Sequence, residues 1–561
     1  MASFSDDSGT WALPAQEAGA EIRRFLDEGR TFIMHNSIFD RAVFQTSFGI
    51  DIPDDRIWDT MAIDWLLDEN ADHRLKEGLG VRLFGDDAKA EKEALKSLMR
   101  GRTVEEVYRE LRDTVNEQPR KDRERAKATR DRARAISAGT KRTWAELSFD
   151  ELREYAEQDA FLTWKVYWWQ QGAVAEDPFI QPDIQREHRI AGMAYRIGRA
   201  GIRVDEERAE RGLAEVEERL AQLTGTFSHV NLRSPKQLAT MVYDEWNLPC
   251  SLKTPSGARS TNKDALEGLS YDSRVNELLE FRSLAKQVDA YYLPLLDRIG
   301  DDGRVHPSLS PFRTRTGRFS CSGPNLQTIP RESTASAIRE VFIPGDGLVL
   351  TEWDLSQIEV RVAADMSREP SLLAVYEQGG DVYQTLADEI GVDRFVAKTV
   401  ILSAQYGVGP KKLAMTLAKG TGQAPNVKQA RSILNRYWAT YPNLAKLMKG
   451  LEETSKRRGY LPLWKPGRRR KFRSEHNPFP RWYTALNAAI QGGAAEMLKD
   501  ILLELEVAVS PYGQIVLTVH DSVVIEHDPG AEAAIDELFT AITADCSPYR
   551  ISTPWEMKRW R

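Results

Sequence analysis

The sequence predicts a multidomain α/β protein in which the strands of one sheet are separated along the chain by a helical insertion. Its 561 residues are too many for a single hydrophobic core, so several domains are expected. Strand-like apolar runs occur at residues 347–353, 514–519 and 523–526. Residues 367–474 between them have a helical pattern. One sheet domain interrupted by a helical one is therefore expected.

The part before residue 347 is expected to hold two further regions. To about residue 172 the pattern is mixed: a buried strand at 31–34, helices at 56–69 and 149–170, and a polar tail rather than a strand at 1–8. The charged stretch 95–138 indicates either a solvated helical insertion or a basic arm that touches nucleic acid. Amphipathic helices at 206–223 and 265–296, separated by a polar turn at 252–261, predict a projecting arm of two antiparallel helices. Strands follow at 304–309.

Composition and charge exclude several classes of protein. No apolar run is long enough to span a bilayer, and the polar N-terminus is not a signal peptide, so we expect a cytoplasmic protein without membrane partners. The three cysteines are far apart and form neither a zinc pattern nor a disulfide framework. The net charge of −7 does not exclude nucleic-acid binding, because basic residues cluster at 120–134, 456–458 and 464–473.

Two aspartates stand at predicted strand ends. Asp354 follows an apolar strand, and Asp521 lies with His520 at the turn of a predicted hairpin. Each aspartate alone is typical of a cap or turn. Two strands of one sheet could nevertheless bring both carboxylates together. Such a pair suits Mg²⁺, which takes few protein carboxylates plus substrate phosphates, and two such ions can clamp a phosphoryl transfer.

A helix predicted from residue 394 has a graded face. Arg394, Lys398, Leu402 and either Gln405 or Tyr406 fall on one side. The cations suit a triphosphate, and the far end suits a base and sugar. The same pattern is also typical of an ordinary basic amphipathic helix.

Six ordered segments carry a resemblance to a known family. They are SPKQL at 234–238, TGRFS and PNLQTIP at 316–330, DLSQIEVR at 354–361, RFVAKTVILSAQYG at 394–407, NAAIQGGAAEMLK at 487–499 and VHDS at 519–522. Together they resemble the motifs of family A, polymerase I-like DNA polymerases, from about residue 184 onward. The resemblance implies a right-hand fold, with thumb and connecting helices at 181–300, palm at 301–366 and 481–561, and fingers at 367–480.

The resemblance also implies an activity: addition of deoxynucleoside triphosphates to a primer 3′ end by two-metal phosphoryl transfer, in DNA replication. Asp354 and Asp521, with the carbonyl of Leu355, would hold two Mg²⁺ ions, for which Mn²⁺ could stand in. Lys398 would contact the triphosphate and could protonate the leaving pyrophosphate. Glu359 would exclude a ribose 2′-hydroxyl. The implied nucleotide-binding set is Arg394, Lys398, Leu402, Tyr406, Glu359, Gln357 and Tyr383. The implied DNA contacts are Arg318, Gln327, Asn487, Gln491, His520, Lys253, Arg259 and Lys286.

Five positions depart from the family pattern. Leu355 replaces a tyrosine, and Leu402 replaces an aromatic residue. With leucine at position 402, we expect discrimination against dideoxynucleotides to persist. Ser522 replaces a glutamate, which implies that two aspartates suffice. Tyr383 stands where a histidine usually precedes the second motif, and Tyr483 stands where an arginine is expected.

The front of the chain resembles part of a 3′–5′ exonuclease domain of RNase H-like fold, at residues 1–180. HNSIFD at 35–40 and the spacing of Tyr155 and Asp159 match two of its motifs, and the vestigial set is Asn36, Asp40, Asp59, Tyr155 and Asp159. Too few residues precede Asn36 for the first Asp-x-Glu strand. We therefore expect proofreading to be absent or very weak, through loss, a late start or truncation, and these acids could equally be structural. No 5′-nuclease domain is expected, and a bacteriophage source, acting in its bacterial host, is favoured.

The expected partners are primer–template DNA and deoxynucleoside triphosphates, with the chain as a monomer and accessory proteins unspecified. Three alternatives remain open. A single-subunit RNA polymerase or reverse transcriptase is disfavoured by Glu359 and by the segments at 327–330 and 490–492. A pure nuclease is disfavoured by its incomplete carboxylate set. A non-catalytic relic would be favoured by loss of Asp354, Asp521 or Lys398, all of which are present.

Overall fold

The computed structural model describes residues 1–89, 99, 146–250, 252–254, 256–330, 336–421, 425–463 and 468–560. The chain divides into two compact units, Met1–His188 and Arg189–Arg561. Apart from residue 99, the predicted charged stretch at 95–138 lies outside the described residues. The division falls inside a helix, and His188 of that helix accepts the backbone N–H of Asp59 through Nε2 at 3.1 Å.

The first unit combines two strand pairs with helices. β1 pairs with β2 in antiparallel fashion, and β3 pairs with β4 in parallel. The prediction of a polar tail at 1–8 was wrong, because Phe4 lies opposite Trp11 and stacks on it with ring centroids 5.7 Å apart. The predicted helix at 56–69 begins only at Thr60, since the preceding residues pair with β3. The elements are β1 Ala2–Asp6, β2 Gly9–Leu13, α1 Ala15–Asp27, β3 Phe32–Met34, α2 Ser37–Phe48, β4 Ile57–Asp59, α3 Thr60–Leu67, α4 Gly80–Phe84, α5 Phe149–Glu176 and α6 Gln181–Ala200, the last crossing into the second unit.

The second unit opens with a helical arm and short strands. Its elements are β5 Ile202–Val204, α7 Glu206–Thr226, α8 Pro235–Thr240, α9 Lys263–Glu267, α10 Ser273–Gln287, α11 Leu293–Leu296, β6 Arg304–Val305, β7 Ser308–Ser310, β8 Ser320–Ser322, α12 Ser336–Arg339 and β9 Phe342–Ile343. α7 and α10 pack side by side, and Arg219 pairs with Glu280 at 2.7 Å. The helix predicted at 265–296 is interrupted, because the Asp272 side chain caps a new helix by accepting the N–H of Arg274. The strands predicted at 304–309 belong to two different sheets.

The helical block follows the first strand of the main sheet. Its elements are β10 Val349–Leu355, α13 Ile358–Ser367, α14 Pro370–Glu377, α15 Val382–Ile390, α16 Arg394–Gln405, α17 Pro410–Thr421, α18 Val427–Thr440, α19 Pro442–Arg458, β11 Tyr460–Pro462, β12 Arg469–Lys471, α20 Ala485–Val509, β13 Gly513–Val519, β14 Ser522–His527, α21 Glu532–Cys546 and β15 Trp555–Arg559. The block does not stay helical to residue 474 as predicted, because β11 and β12 pair into a hairpin.

The main sheet contains β13, β14, β10 and β15 in that order, all antiparallel. This confirms the prediction that strands on either side of the helical block form one sheet. One face is covered by helices, and Trp353 stacks on Phe539 of α21 with ring centroids 4.8 Å apart. Because successive side chains of a strand alternate between faces, Glu352 and Asp354 point to the other face. Among the described helices, none is long and apolar enough to cross a membrane.

Candidate active site

The two predicted aspartates lie at adjacent strand ends of the main sheet. Asp354 on β10 is directly opposite Ser522 on β14, and the backbone N–H of Leu355 donates to the carbonyl of Asp521 at 3.2 Å. His520, with φ of 56°, forms the tight turn between β13 and β14 together with Asp521. The sheet register therefore brings together two segments that are far apart in the sequence.

Ser522 has a structural partner at the position where a glutamate was expected. Its hydroxyl donates to Glu352 Oε1 at 3.0 Å, and Glu352 is also paired with Arg339. Ser522 is fully buried. It therefore ties β14 to β10 beside Asp354 without adding a charge. Sequence reasoning did not single out Glu352, although its position two residues before Asp354 on a strand could have indicated the shared face.

The carboxylate pair fits a small divalent cation. Mg²⁺ is typically bound by one or two protein carboxylates, with water and substrate phosphates completing its shell. Within the described ranges, no group of three or more His, Cys, Asp or Glu side chains is arranged to hold a metal. Asp354 and Asp521 are two carboxylates, the number that Mg²⁺ typically takes from a protein.

Arg318 connects the carboxylate pair to the next predicted residue, Glu359. One guanidinium nitrogen lies 2.6 Å from Glu359 Oε1 and 3.2 Å from Asp521 Oδ1. Burial disfavours the charged form, but Asp521 and Glu359 outweigh this effect, and the pKa of Arg318 is raised. A positive charge therefore rests on Asp521 in the protein alone.

Glu359 is the centre of a hydrogen-bonded cluster formed with Tyr406 and Gln491. The Tyr406 hydroxyl donates to Glu359 at 3.3 Å, and Gln491 Nε2 donates to Glu359 Oε1 at 3.2 Å and also to the Tyr406 hydroxyl. Burial, followed by the Glu359 charge, raises the pKa of Tyr406, so its hydroxyl remains a donor. Asn487 lies one turn before Gln491 on α20. Three motifs that are distant in the sequence thus meet at one carboxylate.

The predicted cationic face of α16 is exposed. Asp393 caps the helix, and Arg394 and Lys398 lie on its open side. Leu402 is half-buried and Tyr406 is 40% exposed, whereas Gln405 is buried. Of the two alternatives for the end of this face, Gln405 was wrong, because a step of one residue turns it toward the core.

Tyr383 on α15 lies beside both cations of α16. Its ring centroid is 5.4 Å from the Arg394 guanidinium and 5.6 Å from the Lys398 ammonium. Arg394 is also paired with Asp381 at 2.6 Å. Since Lys398 forms no ion pair with the described residues, it is the more available of the two charges.

Other predicted nucleotide and DNA contacts lie outside this cluster. The backbones of Lys253 and Arg259 form an antiparallel β-bridge at the tip of the helical arm. The Arg259 guanidinium donates to the Asp244 carboxylate at 2.6 Å. Lys286 is exposed on α10. Gln327 is buried, and its amide donates to the Thr518 carbonyl of β13 at 3.0 Å. Gln357, with φ of 53°, begins α13 and accepts a hydrogen bond from Tyr376.

Asp59 in the first unit serves as a structural cap. Its carboxylate accepts the backbone N–H groups of Asn36 at 3.1 Å, Ser37 at 2.7 Å and Met61 at 2.9 Å, and the Ser37 hydroxyl at 2.7 Å. These donors fix the start of α3 and the turn before α2. Its oxygens are thus directed at protein donors rather than at an ion.

Lys76 occupies the neighbourhood of the remaining exonuclease-like residues. Its ammonium lies 3.1 Å from Asp159 and 3.4 Å from the centroid of the Tyr155 ring, and the side chain is only 4% exposed. Burial, together with Asp59 and Asp159, raises the pKa of Asp40 to about 7. Sequence reasoning missed Lys76, because a single lysine in a helical run gives no signal.

The chain is similar to known DNA polymerases. Residues 201–558 match the model of DNA polymerase family A. DNA polymerase I of Lactococcus lactis subsp. lactis is 31% identical over 374 residues, covering 61% of this chain and 42% of that protein. The thermostable DNA polymerase I of Thermus aquaticus is 30% identical over 398 residues, covering 66% and 46%. The chain spans less than half the length of these relatives.

A solved structure also has a similar fold. It is the POL domain of Pol1 from M. smegmatis in complex with DNA primer-template and dNTP, with a TM-score of 0.65 and 24% identity over 73% of this chain and 75% of that one. At this identity the likeness concerns the fold. The family match, in contrast, covers more than half of the sequence and contains both aspartates. This protein therefore belongs to DNA polymerase family A.

Proposed function

We propose that this chain is a template-directed DNA polymerase that extends a primer with deoxynucleoside triphosphates. The observation that carries the proposal is the meeting of Asp354 and Asp521 at the ends of two adjacent inner strands of the main sheet, beside the cluster centred on Glu359. The named ligands of the structural neighbour, primer–template DNA and dNTP, are the ligands we propose here. The main sheet would then be the palm, residues 367–480 the fingers, and the α7–α10 arm the thumb.

In this proposal the chain's own residues bind and orient the substrates. Two Mg²⁺ ions on Asp354 and Asp521, replaceable by Mn²⁺, would neutralise charge on the reacting phosphate oxygens. Lys398 and Arg394 would hold the triphosphate, and Lys398 would give a proton to the leaving pyrophosphate. Because Tyr406 is 40% exposed and its hydroxyl donates to Glu359, its ring would border the base and sugar.

Glu359 would select the sugar. Three side chains hold its carboxylate, namely Arg318, Tyr406 and Gln491. A carboxylate fixed in this way cannot swing aside to admit a 2′-hydroxyl. This favours DNA synthesis over the alternative of an RNA polymerase.

We further propose that the first unit is an exonuclease-like domain without proofreading activity. The capped Asp59 and the ion pair of Lys76 with Asp159 support this. We also propose a monomer, and a bacteriophage source on the strength of the many departures from the family pattern. Light scattering tests the oligomeric state, and the genes flanking the coding sequence test the source.

One gel tests both activities. A primer labelled at its 5′ end and annealed to template is incubated with the protein and Mg²⁺, with and without the four deoxynucleotides. We expect extension with nucleotides and an unchanged primer without them. No extension in either Mg²⁺ or Mn²⁺ would contradict the polymerase proposal. Shortening without nucleotides would contradict only the proposal about the first unit.

A further inference from the structure

The segment between β12 and α20 presents aromatic side chains to solvent. Phe479 is 88% exposed and Tyr483 is 51% exposed. A large apolar side chain in water is unfavourable, and a contiguous set of them usually marks an interaction surface. The exposure of these rings is explained neither by the roles that the six motifs imply nor by the contacts of the candidate active site.

Two prolines hold Phe479 outward. It stands between Pro478 and Pro480. Because a residue before proline is restricted to extended backbone, Phe479 does not adopt a helical conformation. The flanks are anchored: Asn477 donates to the Phe472 carbonyl at 2.6 Å, and Trp482 stacks on Phe472 with centroids 5.9 Å apart. The exposed ring is therefore carried on a fixed base.

The charge of the segment is positive. Arg473 and Arg481 are exposed, and neither forms an ion pair with a described residue. Arg473 lies 5.5 Å from the centroid of the Trp482 ring. Glu475 is the acidic side chain between them in the sequence. Unpaired arginines interleaved with exposed aromatic rings are the combination by which proteins bind single-stranded nucleic acid.

This surface continues into the candidate active site. A Cβ placed on Gly407 would lie 2.9 Å from the Tyr483 carbonyl oxygen and 3.1 Å from its ring carbon Cδ2. Gly407 directly follows Tyr406, which hydrogen-bonds to Glu359. Tyr483 is thus packed against the turn that carries Tyr406. A strand lying on Tyr483 would therefore lie beside the turn that carries Tyr406.

We propose that Phe479, Tyr483, Arg473 and Arg481 form a stacking platform for the unpaired template strand ahead of the primer terminus. The proposal rests on the proposed polymerase function, because that function supplies a single strand at this place. Stacking on Phe479 and Tyr483 would hold successive bases without regard to sequence, and the two arginines would face their phosphates. Tyr483 stands where the family pattern has an arginine, so a ring replaces a charged side chain at this position of the chain.

Binding of the full chain to a matched set of DNAs tests the platform. All share one duplex and differ only in the template 5′ overhang. One DNA is blunt, and two have overhangs of about two or about six nucleotides. In the fourth, the overhang consists of about six abasic sites. Anisotropy gives Kd for the chain, for Phe479→Ala and for Phe179→Ala, a control at another exposed phenylalanine. We expect the overhang to lower the Kd of the unchanged chain. In Phe479→Ala, this overhang-dependent gain in affinity should be smaller by a factor of roughly ten. Binding to the blunt duplex should stay unchanged.

The outcomes separate the two proposals. The platform would be overturned if the overhang raised the affinity of Phe479→Ala as much as that of the unchanged chain. It would also be overturned if the abasic overhang raised the affinity as much as the overhang with bases. Another partner would then have to cover Phe479. An unchanged chain that neither binds the blunt duplex nor extends a primer would instead refute the polymerase function. As a direct readout, 2-aminopurine in the overhang should be quenched by the unchanged chain and by Phe179→Ala, but not by Phe479→Ala.

Discussion

At the scale of single residues, the candidate site depends on a few charged groups in an otherwise satisfied surface. Ser522 gives its hydroxyl to Glu352, and Arg318 spans Asp521 and Glu359. In the proposed function, cation binding would therefore fall to Asp354 and Asp521. A change at either aspartate should act on chemistry rather than on folding, since both lie on the open side of the sheet.

Asp354→Asn or Asp521→Asn should reduce primer extension by at least about 1,000-fold, because each removes a charge that holds the ions. Primer–template binding should remain, since the aspartates repel phosphates. Single-turnover extension and anisotropy measure the two effects. Asp301→Asn, at an exposed turn, is the control and should extend normally. Normal extension by either site variant would refute the metal assignment.

Glu359→Ala should relax sugar selection. The carboxylate is held by three partners, and its removal opens space for a 2′-hydroxyl. We expect the preference for deoxynucleotides over ribonucleotides, as a ratio of kcat/KM values, to fall roughly 10- to 100-fold. An unchanged ratio would show that another group selects the sugar. Gln384→Ala on α15, an exposed polar change, is the control.

Asp40 should make stability depend on pH. Its pKa of about 7 in the folded protein lies above its ordinary value, so the protonated form is favoured by folding. This contribution is complete below about pH 4 and is lost as pH rises through 7. Asp40→Asn should therefore raise stability at pH 8 by about 1–2 kcal/mol, allowing for partial exposure, and change little at pH 4. Thermal unfolding in a chelator measures this, and equal differences at both pH values would contradict it.

At the scale of elements, α16 presents two cationic side chains and an aromatic side chain along one face. Its buried side is apolar, and its exposed side carries Arg394, Lys398 and, after its last turn, Tyr406. Tyr383 on α15 lies against both cations, in place of the expected histidine. A tyrosine there supplies a ring face and a hydroxyl but no charge, so Lys398 would be the principal contact for phosphate in the proposed function.

Lys398→Ala should lower kcat/KM for deoxynucleotides by roughly 10- to 100-fold, the value of a charge-assisted hydrogen bond lost without replacement. Binding of DNA alone should be unaffected. Lys411→Ala on α17, another exposed lysine of the helical block, is the matched control. If both substitutions give the same small loss, the effect is general electrostatics and not a contact with the triphosphate.

At the scale of the whole molecule, the proposed binding of DNA by a chain of net charge −7 requires local positive surfaces. Lys253 and Lys286 on the helical arm, and Arg473 and Arg481 before α20, are exposed basic groups of this kind. Their combined attraction should release counterions from DNA. Raising salt from about 50 to 200 mM should weaken primer–template binding by at least roughly tenfold. A salt-independent Kd would contradict binding through these surfaces.

Local patterns predicted the elements that have strong periodicity. The strands around residues 349–355, 513–519 and 522–527 and the helices at 206–226 and 394–405 follow from alternation and helical spacing. The hairpin of residues 2–13 was missed because its pairing depends on Phe4 and Trp11, in a segment that is otherwise polar. The break in the arm at Asp272 was missed because capping competes with propensity.

By itself, the sequence determined the residue types of the site and their order along the chain, because motifs and strand periods are local properties. It predicted that Asp354 and Asp521 share one sheet. Only the tertiary structure decided what each charge meets: Arg318 with Asp521, Ser522 with Glu352, and Lys76 with Asp159. These partners are distant in the sequence, and burial and register, which no single segment contains, bring them together.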